Sequence, residues 1–241
     1  MRSVDRLPQV GEVLAVCAHP DDESFGLGAV LGALSDQGTR VRVVCFTHGE
    51  ASTLGETLRP LGEIRAGELA AAAAVLGVEE VTLLGYADGH LGEVPVEELA
   101  QRVDEASGSA QLLVVFDEGG ISGHPDHRAA TAAALLAADR HELSVLAWVV
   151  PDQVAGALNA EHGTSFVGRR EAEVDYAVEV DRRRQRQAIA CHASQSAENS
   201  VLWRRLELSG AFESVRWLRP PPGPAATTGH SGDSTGFEGG A

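Results

Sequence analysis

Lysine is absent from the chain, so all 19 basic residues are arginines, set against 35 acidic residues for a formal charge of −16. Such a deficit of positive charge argues against duplex nucleic acid or an anionic membrane surface as partner, because affinity for either comes chiefly from exposed cationic groups. Cysteine is scarce and odd in number: Cys17, Cys45 and Cys191, the first two inside apolar runs where a thiol behaves as a small hydrophobe. This pattern predicts a reduced, cytoplasmic protein rather than a disulfide framework. Long apolar runs are also missing. The stretch 69–76 falls far short of the ~20 residues of a membrane span, and the run at 13–18 is too brief for a secretory signal and has no cleavage site after it.

What is present is a chain of 241 residues, 44% apolar and 22% charged, long enough to bury roughly 70–75% of its unfolded surface in one core. Apolar, β-rich runs at 13–17, 41–46, 81–84, 112–116 and 143–150 are near-continuous, as in strands covered on both faces. Between them lie helix-like stretches at 23–36, 62–76, 95–106 and 125–139. Strand alternating with helix at this spacing predicts an α/β, Rossmann-like, doubly wound and mainly parallel sheet. After Pro151 the rhythm changes, with a strand at 174–180, a basic helix opened by Asp181, a second helix near 197–208 and a strand at 212–218. This segment reads as a layer appended to a single domain over 1–219. Arg182, Arg183, Arg184 and Arg186 are expected on the solvated face of the basic helix. The stretch 220–241, rich in Pro and Gly, has little to bury and is expected to be a disordered tail.

Two motifs stand at strand-to-helix junctions, Ala18-His19-Pro20-Asp21-Asp22-Glu23 after the first strand and Gly123-His124-Pro125-Asp126-His127 after the fourth. In a doubly wound sheet these two strands are neighbours where strand order reverses, so the motifs would face one cleft. His19 and Asp22 are three apart, as are His124 and His127, and each pair can project from the first turn of a helix toward one point. Two histidines and a carboxylate are the donor set of a catalytic zinc site that keeps a fourth position open. Four residues compete for three places. If His19, Asp22 and His127 hold the ion, Asp21 is left as a general base and His124 as a donor to a developing oxyanion. Asp126 is suited to accept a hydrogen bond from a histidine and fix its tautomer. Gly26, Gly28 and Gly32 hint at a dinucleotide fingerprint, but the last spacing is wrong and Asp21 and Asp22 would repel a pyrophosphate. They are read as sites of close helix-to-sheet packing. His48, His90 and His192 are singletons and read as loop or core histidines, His192 standing out because it falls in a late His-x-Ser-Gln element, and Glu23 fits equally a first-turn carboxylate favouring the helix dipole or a role at the site.

The pair AHPDDE and GHPDH resembles the zinc-dependent deacetylases of the LmbE-like, PIG-L type, which act on N-acetylglucosaminyl substrates. The likeness runs from about Val13 to Gln195 and takes in Thr47-His48-Gly49-Glu50, Arg65 and Glu68, Asp88-Gly89 and His192-Ala193-Ser194-Gln195. It implies an LmbE-like fold, zinc on His19, Asp22 and His127, Asp21 as base, His124 as electrophile, and sugar hydroxyls near Arg65 and Asp88. Iron(II) suits the same donors. The expected activity is removal of an acetyl group from an N-acetylglucosamine-type sugar or glycoside, with a neutral amino sugar as first choice. Cleavage of a thiol-sugar amide conjugate is the alternative within the same chemistry. A non-catalytic, metal-containing sugar-binding protein is the alternative outside it, although such a protein would be expected to have lost Asp21 or His124. A two-metal phosphoesterase would need more carboxylates than Asp21, Asp22 and Asp126. The expected partner is a small amino-sugar molecule, and self-association into a homo-oligomer is left open.

Overall fold

The computed structural model describes residues 2–4, 6–54 and 60–222. Its strands are β1 (Arg2–Val4), β2 (Glu12–Cys17), β3 (Arg40–Thr47), β4 (Val78–Tyr86), β5 (Leu112–Phe116), β6 (Ser144–Pro151), β7 (Gly168–Arg169), β8 (Tyr176–Glu179) and β9 (Phe212–Arg219). The sheet order is β1-β8-β9-β6-β5-β2-β3-β4, with β7 beside the end of β6. Pairing from β6 through β5, β2 and β3 to β4 is parallel throughout, and β9 alone runs against its neighbours β6 and β8. β2 has β3 on one side and β5 on the other, so the chain reverses its direction of travel across the sheet between β2 and β5. The crevice beyond the carboxyl ends of these two strands is where a ligand site belongs in this architecture.

The helices are α1 (Asp22–Phe25), α2 (Gly28–Asp36), α3 (Leu61–Leu76), α4 (Val96–Ser107), α5 (Gly120–Gly123), α6 (Pro125–His141), α7 (Asp152–His162), α8 (Arg183–Cys191), α9 (Ala193–Ser196) and α10 (Ser200–Ser209). Alternation along β2 sorts them into two layers. Val13, Ala15 and Cys17 join Leu27, Leu31, Leu69 and Leu158 of α2, α3 and α7 and the turn before α2, whereas Leu14 and Val16 join Leu99, Val103 and Ala133 of α4 and α6. Each large side chain buried this way contributes about 1.5–3 kcal/mol. α6 meets the sheet through Ala130, Ala133, Ala134, Ala137 and Ala138, whose small side chains allow a close approach. Among the described residues no helix is long and apolar enough to cross a membrane.

Several expectations need amendment. The helix expected over 23–36 breaks at Gly26 and Leu27, where a Cβ on Gly26 would collide with the Phe116 ring. Gly28 packs on Gln185 of α8, a contact between helices rather than with the sheet. β4 is longer than expected because it is an edge strand, whose charged Glu79 and Glu80 interrupt the apolar run. α7 and the edge strand β1 had no signal in the apolar pattern.

Arg182 is buried instead of solvated. It pairs with Glu213 of β9 and donates to Gln185 Oε1 at 2.7 Å and to the Phe212 carbonyl at 2.8 Å. Arg205 of α10 reaches the same Glu213 carboxylate at 3.5 Å, and Trp148 Nε1 of β6 donates to its other oxygen at 2.7 Å. This cluster fastens the chain after Pro151 onto the sheet. Arg183 and Arg186 are exposed, and Arg184 pairs with Asp36 at 3.1 Å. The N-cap of α8 is Arg182 and not Asp181, which stands one residue earlier and accepts from Arg183 N at 2.9 Å. The expected tail lies, from residue 223 onward, outside the described residues.

Candidate active site

Beyond β2 the chain turns so tightly that the N–H groups of Ala18 and His19 both donate to Asp22 Oδ2, each at 2.9 Å. Thr47 of β3 pins the same turn through two hydrogen bonds of 3.0 Å to the Ala18 carbonyl. Asp21 is forced to φ 116°, a conformation costly for any residue with a Cβ, which persists only when its surroundings over-determine it. Here they do. Asp21 N donates to Glu23 Oε2 at 2.9 Å, and Arg65 of α3 donates to Asp21 Oδ2 at 2.8 Å while also binding the Pro20 carbonyl.

The second motif rises from the loop after β5. Gly120 and Ile121 have φ of 75° and 62°, the latter unusual for a β-branched residue. His124 caps α6, its Nδ1 accepting from Asp126 N at 3.2 Å. His127 lies in the first turn of α6, with Nδ1 3.2 Å from the Gly120 carbonyl and Nε2 3.1 Å from Asp22 Oδ1. His19 Nδ1 is 3.3 Å from that same Nε2. On its far side, His19 Nε2 meets Asp88 Oδ1 at 3.0 Å and Asp126 Oδ2 at 3.2 Å.

The donors therefore have a direction. His19 Nδ1, His127 Nε2 and Asp22 Oδ1 converge, while the opposite ring nitrogens are turned to carboxylates or a carbonyl, as second partners of metal-bound imidazoles are. This set fits a single divalent cation. A second group, His19, His124 and Asp126, is also close-knit. It fits poorly, because fully buried Asp126 already accepts from Gly89 N at 2.7 Å, from Leu91 N at 3.1 Å and from His19, while His124 Nδ1 is occupied.

The charges of these groups are strongly coupled. Burial would raise the Asp22 carboxyl, but His127, His19 and the backbone N–H hold it well below the usual carboxylate range. Burial likewise opposes charge on His19, yet hydrogen bonds to Asp126 and Asp88 and the field of Asp22 raise it to about 10. These neighbours favour a proton on His19. Asp21 differs: burial pushes its carboxyl up to about 7, against the pull of Arg65. His124 is lowered by burial and by the neighbouring His127 and His19.

His19, Asp21, Asp22, His124, His127, Arg65 and Asp88 line one cavity of about 670 Å³. Asp126 sits behind it. Arg65 and Asp88 have internal partners: Arg65 holds Gly49, Pro20 and Asp21, and Asp88 holds His19 and Ala51 N. Arg169, beyond the loop after β5, is bound to Asp117 at 3.0 Å.

Sequence reasoning undervalued Glu23 and His192. Both are fully buried, His192 Nε2 lies 2.6 Å from Glu23 Oε1, and the other Glu23 oxygen carries Asp21 N. Their separation by 169 positions hid a pair whose only sequence mark is that each sits in a short polar motif. Arg205 and the aromatic wall of the cavity, Phe25, Phe116, Trp148 and Phe166, were likewise invisible. They come from separate elements and share no spacing.

Residues 14–138 match the family described as GlcNAc-PI de-N-acetylase, PIG-L. A curated relative from Kineococcus radiotolerans, a 1D-myo-inositol 2-acetamido-2-deoxy-alpha-D-glucopyranoside deacetylase, is 34% identical over 194 residues, covering 64% of this chain and 53% of that one. The chain spans about half the length of the curated relatives it matches. A solved deacetylase from the biosynthesis pathway of teicoplanin superposes with a TM-score of 0.66 at 20% identity, over 86% of this chain and 96% of that one. The 4-carboxy-2-hydroxymuconate hydratase of Pseudomonas putida superposes with a TM-score of 0.62 at 18% identity, over 88% and 98%. One fold thus carries both a deacetylase and a hydratase, and the fold alone does not name the reaction.

A proton on His19 must leave before a metal can take Nδ1. With that group raised to about 10, the apparent affinity for zinc should climb about tenfold per pH unit through neutrality. Chelator competition at several pH values measures the slope, and an affinity independent of pH would contradict the donor assignment.

Proposed function

The chain belongs to the PIG-L family, and we propose that it is a zinc-dependent hydrolase that removes the acetyl group from an N-acetylglucosamine-type sugar or glycoside, releasing acetate and a free amine. The observation that carries this reading is the convergence of His19 Nδ1, Asp22 Oδ1 and His127 Nε2 beside Asp21 and His124 in a cavity large enough for a glycoside. Three free thiols, two of them buried, support a cytoplasmic location. Residues 1–219 are taken as the catalytic domain.

His19, Asp22 and His127 would hold the ion, which when bound supplies Lewis-acid charge to the substrate carbonyl. Asp21 handles the proton. Its Oδ2 is engaged by Arg65, leaving Oδ1 to take a proton from the attacking water. A carboxyl near 7 can also return that proton to the departing nitrogen, so water oxygen ends in acetate, the C–N bond breaks and the amine leaves neutral. His124 Nδ1 accepts from Asp126 N, which puts the ring hydrogen on Nε2. With its pKa lowered, His124 is a neutral donor for the oxygen on which negative charge develops. Glu23 positions Asp21 in its unfavourable backbone conformation, and Asp88 and Asp126 orient His19. Arg65 and Asp88 also stand on the cavity wall, where sugar hydroxyls would pass.

Acetate release from N-acetylglucosamine, chitobiose and an inositol-linked glycoside tests the reading. The metal-loaded protein should turn over at least one of them, and Asp21→Asn should retain one ion per chain while losing at least ~100-fold in rate. Equal rates in Asp21→Asn and the unaltered protein would refute the role of Asp21. Glu23→Gln should retain the ion and lose about 10–100-fold in kcat with little change in KM, because it disturbs the support of Asp21 and not the substrate wall. An unchanged kcat would remove Glu23 from the account.

A further inference from the structure

With acetyl as the acyl group, most of the cavity is left for the sugar and its aglycone, and the wall facing that space has a definite chemistry. A continuous aromatic run leads away from the metal-site histidines. The Phe116 ring stands edge-on to His127 at 4.8 Å, Trp148 lies 5.3 Å beyond it, and the Arg205 guanidinium covers Trp148 at 5.0 Å. Phe25, Ile121 and Leu202 extend the apolar surface around this run. Gly26 lies against Phe116 and Trp148 with no side chain of its own, and any Cβ there would displace the Phe116 ring.

The run ends in an unbalanced charge. Arg205 lines the cavity and is only 4% exposed. It shares Glu213 with Arg182, which is the closer partner, and the second Glu213 oxygen is taken by Trp148 Nε1. Among the described residues no other carboxylate pairs with either arginine, so two buried guanidinium groups answer to one carboxylate. Burial already lowers the pKa of Arg205. A buried charge without a full counter-charge is costly, and an anion arriving in the cavity would offset that cost. A polyol can lay only its C–H face on these rings and brings no charge to Arg205.

We propose that this run seats a ring-sized hydrophobic aglycone bearing an anionic substituent, a carboxylate being the simplest, directed at Arg205. The proposal rests on the deacetylase reading and names the class of glycoside on which it acts. Phe25, Phe116, Trp148 and Leu202 recognise the ring, and Arg205 recognises its charge.

The test is calorimetric binding to metal-loaded Asp21→Asn protein, so that ligand is not consumed, using the methyl, phenyl, 4-carboxyphenyl, 4-carbamoylphenyl and inositol glycosides of N-acetylglucosamine. The phenyl glycoside should bind at least about tenfold more tightly than the methyl or inositol glycoside, and the 4-carboxyphenyl glycoside about tenfold more tightly than its neutral carbamoyl counterpart. Arg205→Met, which leaves Arg182 and Glu213 matched one to one, should abolish the second difference, and Arg205→Lys should keep part of it. An inositol glycoside bound as tightly as the phenyl one overturns the apolar assignment. Equal affinity for the carboxyl and carbamoyl ligands overturns the role of Arg205 without recourse to any Arg205 variant. Retention of the expected binding order in a protein whose unaltered form releases no acetate from any of these glycosides would overturn the hydrolase reading and leave the aglycone assignment standing.

Discussion

Two backbone N–H groups, those of Ala18 and His19, grip a single oxygen of Asp22, and the rest of the site is arranged around that clasp. It turns the chain at the end of β2, points the second Asp22 oxygen at His127 and throws Asp21 into a left-handed conformation that Glu23 and Arg65 then have to support. The sheet makes the clasp useful. Because β2 and β5 are adjacent, the loop after β5 delivers His124 and His127 to the same crevice from a position more than a hundred residues later.

Around this geometry the protein gathers five carboxylates, with Asp22, Asp88 and Asp126 against His19 or His127, Glu23 against His192 and Asp21 against Arg65. So many carboxylates repel one another unless positive charge is interleaved. Arg65 answers Asp21, His192 answers Glu23, and His19, raised to about 10, answers Asp22, Asp88 and Asp126. A divalent ion among His19, Asp22 and His127 would replace the last of these with a stronger cation. The same economy of charge is visible at the far end of the cavity, where Arg182 and Arg205 share Glu213 and the imbalance has the opposite sign.

Much of this was legible in the sequence because it is local. The near-continuous apolar runs that became β2, β3, β5 and β6 announce a doubly covered parallel sheet, and the spacings of His19 with Asp22 and His124 with His127 are short-range facts. What escaped is long-range. Glu23 reads as a helix-dipole carboxylate until His192 arrives beside it, and Arg182 reads as one of a solvated arginine run until β9 brings Glu213. Arg65 and Asp88 point to sugar hydroxyls only by resemblance, whereas their hydrogen bonds join them to Asp21 and His19. No periodicity in one segment could announce the aromatic run from Phe116 to Trp148, because its members lie on different strands.

The chemistry of the site depends most on where the ion sits. Anomalous diffraction at the zinc absorption edge, from crystals of the zinc-loaded protein, measures this directly. One peak per chain bounded by His19 Nδ1, Asp22 Oδ1 and His127 Nε2 is the predicted result. A peak among His19, His124 and Asp126, or none at full zinc loading, would contradict it.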